Sequence, residues 1–499
     1  MSNAQHHRIV IIGSGFAGLG AAIRLKQEGE QDFVILERSD EVGGVWRDNT
    51  YPGCACDVQS HLYSFSFAPN PNWSRAYSPQ GEILAYLRDC ASRFGVLPHV
   101  RFGHAVKQAT WDDDLRKWRI ETSQGLFTAD FLVAANGALS EPAIPKLHGL
   151  ESFEGIAFHS ARWRHDVDLR GKRVAVIGTG ASSIQFVPAI QPGVERLHLF
   201  QRTAAWVLPR TNTEIPMVLR RLYAAVPLAQ RAVRGAIYAV REGALLGFRE
   251  GPLMSVIEGL GRRYLAKTVR DPELRKKLTP DFRIGCKRIL LSDEYLPALT
   301  KTNVEVVTEG IREVRAHSVV TTDGVERPVD VILFGTGFQV TDQPIAHMIR
   351  GRTGKTLSET WQGSPKAHLG TMIAGFPNFF LMQGPNTGLG HTSVVIMIEA
   401  QIDHMLLALK SGALQLEPRA EAQAKFVADV DRDMQGSVWT TGGCASWYLD
   451  RNGRNSTLWP GFTFTFRRLL ARFDAGDYLI SKVTPRGRSA SVESVARSP

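Results

Sequence analysis

Short runs of β-branched and aliphatic residues, each followed by a glycine turn and then by an amphipathic stretch, punctuate this chain at two places. Arg8 to Ile12 predicts a buried strand, Gly13-Ser-Gly15-Phe16-Ala17-Gly18 a tight turn, the stretch to about Glu28 a helix, and Phe33 to Glu37 a second strand. The same order returns at Arg173, with a strand to Ile177, the turn Gly178-Thr179-Gly180-Ala181-Ser182-Ser183, a helix to about Ile190 and a strand from Arg196 to Phe200. Two βαβ units in one chain imply an α/β fold with two Rossmann-like dinucleotide-binding domains. Strand-like runs Asp130 to Ala135 and Asp330 to Phe334 each lead into a glycine turn, Asn136-Gly137 and Gly335-Thr-Gly-Phe338, as where a chain crosses between domains. Met217 to Val269 is apolar but interrupted by Arg220, Arg221, Arg231, Arg234, Arg241 and Arg249, which predicts helical hairpins with a basic face.

The first glycine turn has its full context. Gly13 permits the turn, Gly15 lets backbone approach a pyrophosphate, Gly18 allows close helix–strand packing, and the helix N-terminus faces the phosphates. Glu37, 19 residues after Gly18, stands where a carboxylate accepts hydrogen bonds from ribose hydroxyls. The second turn has Ser183 at the third glycine position, where only packing is at stake. At the end of its second strand Gln201-Arg202-Thr203 replaces the acid, and Arg202 lies 19 residues after Ser183. A cation there selects the 2′-phosphate of NADPH over NAD.

Composition narrows the classes without naming one. With 499 residues, 43% hydrophobic and 22% charged, the chain has room for two or three cores and is neither disordered nor fibrous. The net charge of +10 is scattered, with no basic run interleaved with aromatics, so no nucleic-acid partner is expected. Met1 to His7 is short and polar before the first apolar run and no stretch is apolar enough to span a bilayer, so neither a signal peptide nor a spanning helix is expected, and a cytoplasmic location is. The basic helical hairpins leave a weak membrane-surface contact open, although a solvated insertion is the plainer reading. Five cysteines (54, 56, 90, 286 and 444) lack CxxC spacing and accompanying histidines, so neither a disulfide nor a metal is expected.

Gly43-Gly44-Val45-Trp46 follows Glu37, and the tryptophan occupies the place where a disulfide reductase carries a redox cysteine. From about Arg8 to Arg468 the chain resembles the class B flavoprotein monooxygenases, specifically the type I Baeyer–Villiger monooxygenases. Phe153-Glu-Gly155-Ile-Ala-Phe-His159-Ser-Ala-Arg-Trp163 matches every fixed position of the family pattern FxGxxxHxxxW. Gly43-Gly44-x-Trp46, followed by Tyr51-Pro52-Gly53 and Asp57, matches a companion pattern found in Baeyer–Villiger enzymes. Gly285-Cys-Lys287-Arg288 is similar to the family loop with the active-site arginine, and Asn452 to Gly461 to its C-terminal segment. Arg164 and Gly335 depart from the fuller patterns, which prefer Pro or Asp and Ala there.

The resemblance implies FAD and NADPH as cofactors, O₂ and a ketone as substrates, and an ester or lactone formed by way of a C4a-peroxyflavin, with sulfoxidation as a side activity. It implies Arg288 as the catalytic cation that keeps the peroxide anionic, Asp57 as its acid partner, and Lys287 beside Arg202 and Thr203 at the 2′-phosphate. It also sets Trp46 and Tyr63 against FAD, the Val106 backbone near adenine, and His159 in the link between domains. The expected organisation is an FAD domain in two pieces, 1–145 and 376–480, an NADPH domain at 146–375 with a helical insertion at about 213–278, and a disordered tail at 481–499. Two other readings remain open on sequence: a flavin monooxygenase oxidising nitrogen or sulfur, and an NADPH oxidase or redox-sensing flavoprotein. Substrate, selectivity and oligomeric state are not legible, beyond an apolar insertion that suits medium or bulky hydrophobic ketones.

Overall fold

The computed structural model describes residues 4–248 and 251–481. The expected tail lies outside them, apart from residue 481. Strand β1 (Gln5–Ile12) pairs in parallel with β2 (Phe33–Leu36), which pairs with β3 (Val100–Arg101). Helix α1 (Phe16–Gln27) crosses between β1 and β2, and α2 (Val45–Asp48) and α3 (Gln80–Arg93) follow. An antiparallel meander of β4 (Val106–Asp112), β5 (Lys117–Thr122) and β6 (Leu126–Ala134) returns the chain to the other side of β1. Successive residues of β1 are buried on opposite faces. Ile9 and Ile11 pack with Leu19 and Ile23 of α1, while Val10 and Ile12 pack with Trp118, Phe127 and Phe379. A strand covered on both sides reads as an unbroken apolar run, which is why Ile9-Val-Ile-Ile12 shows no alternation.

The second sheet is wholly parallel, in the order β12-β9-β8-β16-β7. Its strands are β7 (Ile156–His159), β8 (Arg173–Ile177), β9 (Arg196–Phe200), β12 (Val304–Val307) and β16 (Val331–Phe334), with α4 (Ser183–Ile190) crossing from β8 to β9. Between β9 and β12 run, among the described residues, the short parallel pair β10 (Val207–Leu208) and β11 (Leu290–Leu291) and five α-helices. These are α5 (Met217–Ala225), α6 (Pro227–Gly243), α7 (Pro252–Thr268), α8 (Pro272–Lys277) and α9 (Tyr295–Leu299). The inner face of α6 is anchored: Gln230 donates to the Asn70 carbonyl at 2.6 Å and Arg234 to the His61 carbonyl at 2.6 Å. Strands β13 (Ile311–Arg315), β14 (Ser318–Thr321) and β15 (Glu326–Pro328) cover one face of the second sheet.

After β16 the chain returns to the first sheet. There β17 (Ile349–Arg350) extends β4, and β18 (Phe379–Leu381) pairs with Leu132–Ala134 of β6, beyond where β5 ends. The two crossings zip together as an antiparallel ribbon. Ala143 N–H donates to the Gly337 carbonyl and Gln339 N–H to the Glu141 carbonyl, each at 2.9 Å. No helix among the described residues is long and apolar enough to cross a membrane.

Candidate active site

A continuous cavity of about 1470 Å³ runs between the two sheets, larger than the roughly 300–1,000 Å³ of a single small-molecule site. Its walls include Gly13, Gly15, Phe16, Ala17, Glu37, Gly44, Val45, Trp46, Asp57, Tyr63 and Val106 from the first unit. Gly178, Thr179, Gly180, Ala181, Ser182, Arg202, Thr203, Lys287 and Arg288 line it from the second. Of the residues singled out on sequence, Gly18, Ser183, Phe153, Gly155, His159 and Trp163 do not face it.

The glycine turns show why these positions exclude side chains. A Cβ on Gly13 (φ +95°) would lie 2.9 Å from the Ala135 carbonyl oxygen, and one on Gly18 would lie 1.9 Å from the Gly13 oxygen. Gly44 comes so near the turn that a Cβ there would meet Gly15 Cα at 3.0 Å. Bare backbone on both sides of Gly15 is the surface a diphosphate needs. In the second unit the serine at the third glycine position and the glycine at 335 answer each other. A Cβ on Gly335 would sit 1.9 Å from the Ser183 hydroxyl, so the serine fills the space that an alanine at 335 would take.

Glu37 closes the first nucleotide strand with a carboxylate already held by protein. Its oxygens accept from Ser14 N–H at 3.0 Å, Ser14 O–H at 2.6 Å and Ser39 N–H at 3.0 Å, and Arg47 lies 3.2 Å away. Burial alone would raise its pKa, but the Ser14 hydrogen bonds and the Arg47 charge hold it below the usual carboxylate range. Arg47 was missed in the sequence reading; its only signal is its place directly after the Gly-Gly-x-Trp run. Nearby, Trp46 donates its indole N–H to the Tyr63 hydroxyl at 3.1 Å, and Tyr63 stands edge-on to Phe16 with ring centroids 5.1 Å apart.

At the far end, the β10–β11 ladder brings two loops together just beyond β9. Lys287 Nζ donates to Thr203 Oγ1 at 3.2 Å, and Arg202 is exposed beside it. Burial and the Arg202 charge hold the Lys287 ammonium below its ordinary pKa. Neither cation forms a salt bridge with a described residue, an arrangement suited to an anion.

Asp57 and Arg288 come from different units and meet at the cavity. Arg288 donates from Nε to Asp57 Oδ2 at 2.7 Å and from Nη2 to Oδ1 at 2.8 Å, while its Nη1 bonds no described residue. A quarter to a third of each side chain remains exposed. The Asp57 charge raises Arg288 well above the ordinary arginine pKa; burial works against ionisation of Asp57, and Arg288 overcomes it, so both stay charged. The Tyr-Pro-Gly run explains how Asp57 is aimed. Gly53 (φ +78°) packs so tightly that a Cβ would meet the Gln185 carbonyl of α4 at 2.7 Å. Gln185 in turn exchanges side-chain hydrogen bonds with the Ala55 backbone at 3.2 and 3.0 Å. Arg241 of α6 adds a clamp, donating to Gln59 at 2.8 Å. Neither Gln185 nor Arg241 carried a local signal of this role.

The FxGxxxHxxxW residues build the crossing instead of the cavity. A Cβ on Gly155 would meet the Asp330 carbonyl at 2.4 Å, Trp163 packs on Phe158 and Phe186, and His159 lies edge-on to Phe338 of the return crossing. Burial pushes the His159 imidazole down to about 4, so it is neutral at ordinary pH.

The expectation of no disulfide is overturned. Cys286 and Cys444 are joined by a disulfide across 158 residues, while Cys54, Cys56 and Cys90 are free and buried. Spacing arguments concern cysteines near in sequence; this pair is made by the fold, which packs the Cys286 loop against Trp439 and Tyr448.

A cavity walled by two glycine turns, one closed by a carboxylate and one by cations, defines a two-dinucleotide flavoprotein. Residues 6–224 match the family described as flavin-binding monooxygenase-like. The chain is 52% identical over 487 residues to a Baeyer-Villiger monooxygenase of Streptomyces coelicolor, covering 96% of this chain and 94% of that one. It is 50% identical over 482 residues to another of Pseudomonas aeruginosa, covering 95% and 92%. Its fold superposes on a closed crystal structure of cyclohexanone monooxygenase with a TM-score of 0.87 at 29% identity, and on an oxidised steroid monooxygenase bound to NADP with 0.85 at 32%. Each superposition covers 96% of this chain and 100% of the other. The chain is a flavoprotein monooxygenase, and it belongs to the Baeyer–Villiger monooxygenase family.

Proposed function

We propose that this protein uses NADPH and O₂ to insert one oxygen atom beside a ketone carbonyl, releasing an ester or a lactone. The observation that carries this reading is the bidentate Asp57–Arg288 pair in a cavity walled by both glycine turns. On this reading the unit of the first sheet holds FAD and that of the second sheet holds NADPH; the return to the first unit, expected at 376, comes earlier, because Ile345, Ile349, Leu357 and Ala367 already pack with the first sheet and β17 extends it. Bound FAD, once reduced by NADPH, supplies the activation of O₂.

The chain's own residues do the rest. The Gly13–Gly18 turn receives the FAD diphosphate and Glu37 the adenosine ribose, while Arg202, Thr203 and Lys287 bind the 2′-phosphate of NADPH. Arg288, kept cationic by Asp57, favours the anionic form of the attacking oxygen and stabilises the oxyanion that develops on the ketone. Asp57 occupies Nε and Nη2, which fixes the guanidinium plane and leaves Nη1 for the reacting oxygens. Neutral His159 links the crossings and brings no second cation near the site. Apolar walls that include Trp206, Phe282 and Leu389 exclude water and suit a medium or bulky hydrophobic ketone.

The test is to incubate the purified yellow protein with NADPH, ¹⁸O₂ and a panel of linear, cyclic and aryl ketones plus sulfides, followed by mass spectrometry. Singly labelled esters or lactones are the expected products. Labelled sulfoxides without any ester favour heteroatom oxidation, and hydrogen peroxide without labelled product across the panel favours a non-oxygenating flavoprotein.

A further inference from the structure

The Cys286–Cys444 bridge joins two walls of the cavity. Cys286 immediately precedes Lys287 and Arg288, and Cys444 lies three residues before Trp447, which also lines the cavity. Among the described residues the other ties between the two segments are one backbone hydrogen bond, from Arg283 N–H to the Gly442 carbonyl at 3.1 Å, and an apolar cluster in which Phe282, Ile284 and Cys286 meet Val438, Trp439 and Tyr448. The Tyr448 hydroxyl is buried with no hydrogen-bond partner among the described residues, and burial pushes it up to about 12 against the pull of Arg288. Access to the bridge is one-sided. Cys286 is 1% exposed, whereas Cys444 is half-buried between the exposed Gly443 and Ala445. The free thiols are poor competitors for redox chemistry, since burial raises Cys54 to about 11 and Cys56 further.

We propose that Cys286 and Cys444 form a reversible redox modification site, oxidised by hydrogen peroxide and opened by a dithiol through Cys444, whose state sets how firmly Arg288 is held. With the bridge closed, the arginine loop and the segment carrying Trp447 and Tyr448 are one piece; with it open, they are coupled only by the Arg283–Gly442 bond and the apolar cluster. Closing forms one S–S bond and breaks one O–O bond: the two thiols give up two electrons, hydrogen peroxide is reduced, and the two thiol protons leave in two molecules of water. Opening takes two electrons from a dithiol, which becomes a disulfide through a mixed-disulfide intermediate. Oxygen reduced without a substrate at hand leaves as hydrogen peroxide, so unproductive turnover supplies the oxidant that tightens the site. The inference rests on the role proposed above for Arg288.

The experiment compares the flavin-loaded enzyme after peroxide and after dithiothreitol treatment, each freed of reagent. Thiols titrated in denaturant should number three in the oxidised form and five in the reduced form, from the five cysteines present. Product formed per NADPH consumed should be about fivefold higher in the oxidised form, while anaerobic flavin reduction by NADPH is unchanged. Cys286→Ser and Cys444→Ser should both stay at the reduced value whatever the treatment. Five thiols in the peroxide-treated protein, or equal coupling in the two states, would overturn the proposal. If no ketone yields product, the functional reading fails separately, and hydrogen exchange across residues 283–288 and 437–449 decides: faster exchange after dithiothreitol supports the staple, and unchanged exchange overturns it.

Discussion

Arg202 and Lys287 stand close together just beyond β9, neither in a salt bridge with a described residue, and in the proposed reading this positive charge is the basis of cofactor choice. A charge-assisted contact to phosphate is worth about 1.5–3 kcal/mol, so Arg202→Ala should raise the KM for NADPH by about 10- to 100-fold and leave that for NADH nearly unchanged. Steady-state kinetics with both nucleotides checks this. Arg288 acts after hydride transfer in the proposed reaction. Arg288→Ala should therefore leave anaerobic flavin reduction largely intact while lowering ester formation by about 10²–10³-fold, the cost of losing one preorganised charge at an oxyanion. Stopped-flow reduction and product yield on the same sample separate the two effects; retained ester formation would remove Arg288 from the mechanism.

At the scale of elements, the packing of α4 on the start of the return crossing depends on two small residues. The buried Ser183 hydroxyl has no hydrogen-bond partner among the described residues and fills the space beside Gly335. Gly335→Ala alone should destabilise the protein by about 1–3 kcal/mol through overcrowding, and adding Ser183→Gly should recover most of that loss. Thermal unfolding of the four proteins of this cycle measures the coupling; additive effects would mean that the two residues do not compensate each other. The glycine turns themselves were readable, because a φ of +95° at Gly13 or +101° at Gly178 is a property of one residue in one turn. The short ladder β10–β11 was not, since two strands of two residues each leave no period to detect.

Across the whole molecule, buried histidines couple the fold to pH. Burial pushes His61, His159 and His404 down to about 4 from an ordinary 6.5. As the pH falls below 6.5 the unfolded chain takes up these protons and the folded chain resists until about 4, so their contribution is complete above 6.5 and is lost between 6.5 and 4. The melting temperature, followed by flavin fluorescence, should therefore fall by several degrees between pH 7 and pH 5. A flat profile over that window would mean that these imidazoles ionise inside the fold.

The sequence by itself determined what is local: both βαβ units, their glycine turns, Glu37 and Arg202 at the strand ends, and the family these motifs mark. Each rests on backbone conformation or side-chain period within about twenty residues, where the chain has little freedom to place its parts otherwise. The encounters between distant segments are realised only in the tertiary structure: Arg288 meets Asp57 across 231 residues, Gln185 holds Ala55 across 130, and Cys286 is bonded to Cys444 across 158. The first pair was implied by the family resemblance; no pattern along the chain encodes the other two. Which loops meet is set by how the two sheets pack and by the ribbon that joins them, so the same five cysteines that gave no reason to expect a bridge acquire one when the fold brings two of them into one apolar cluster.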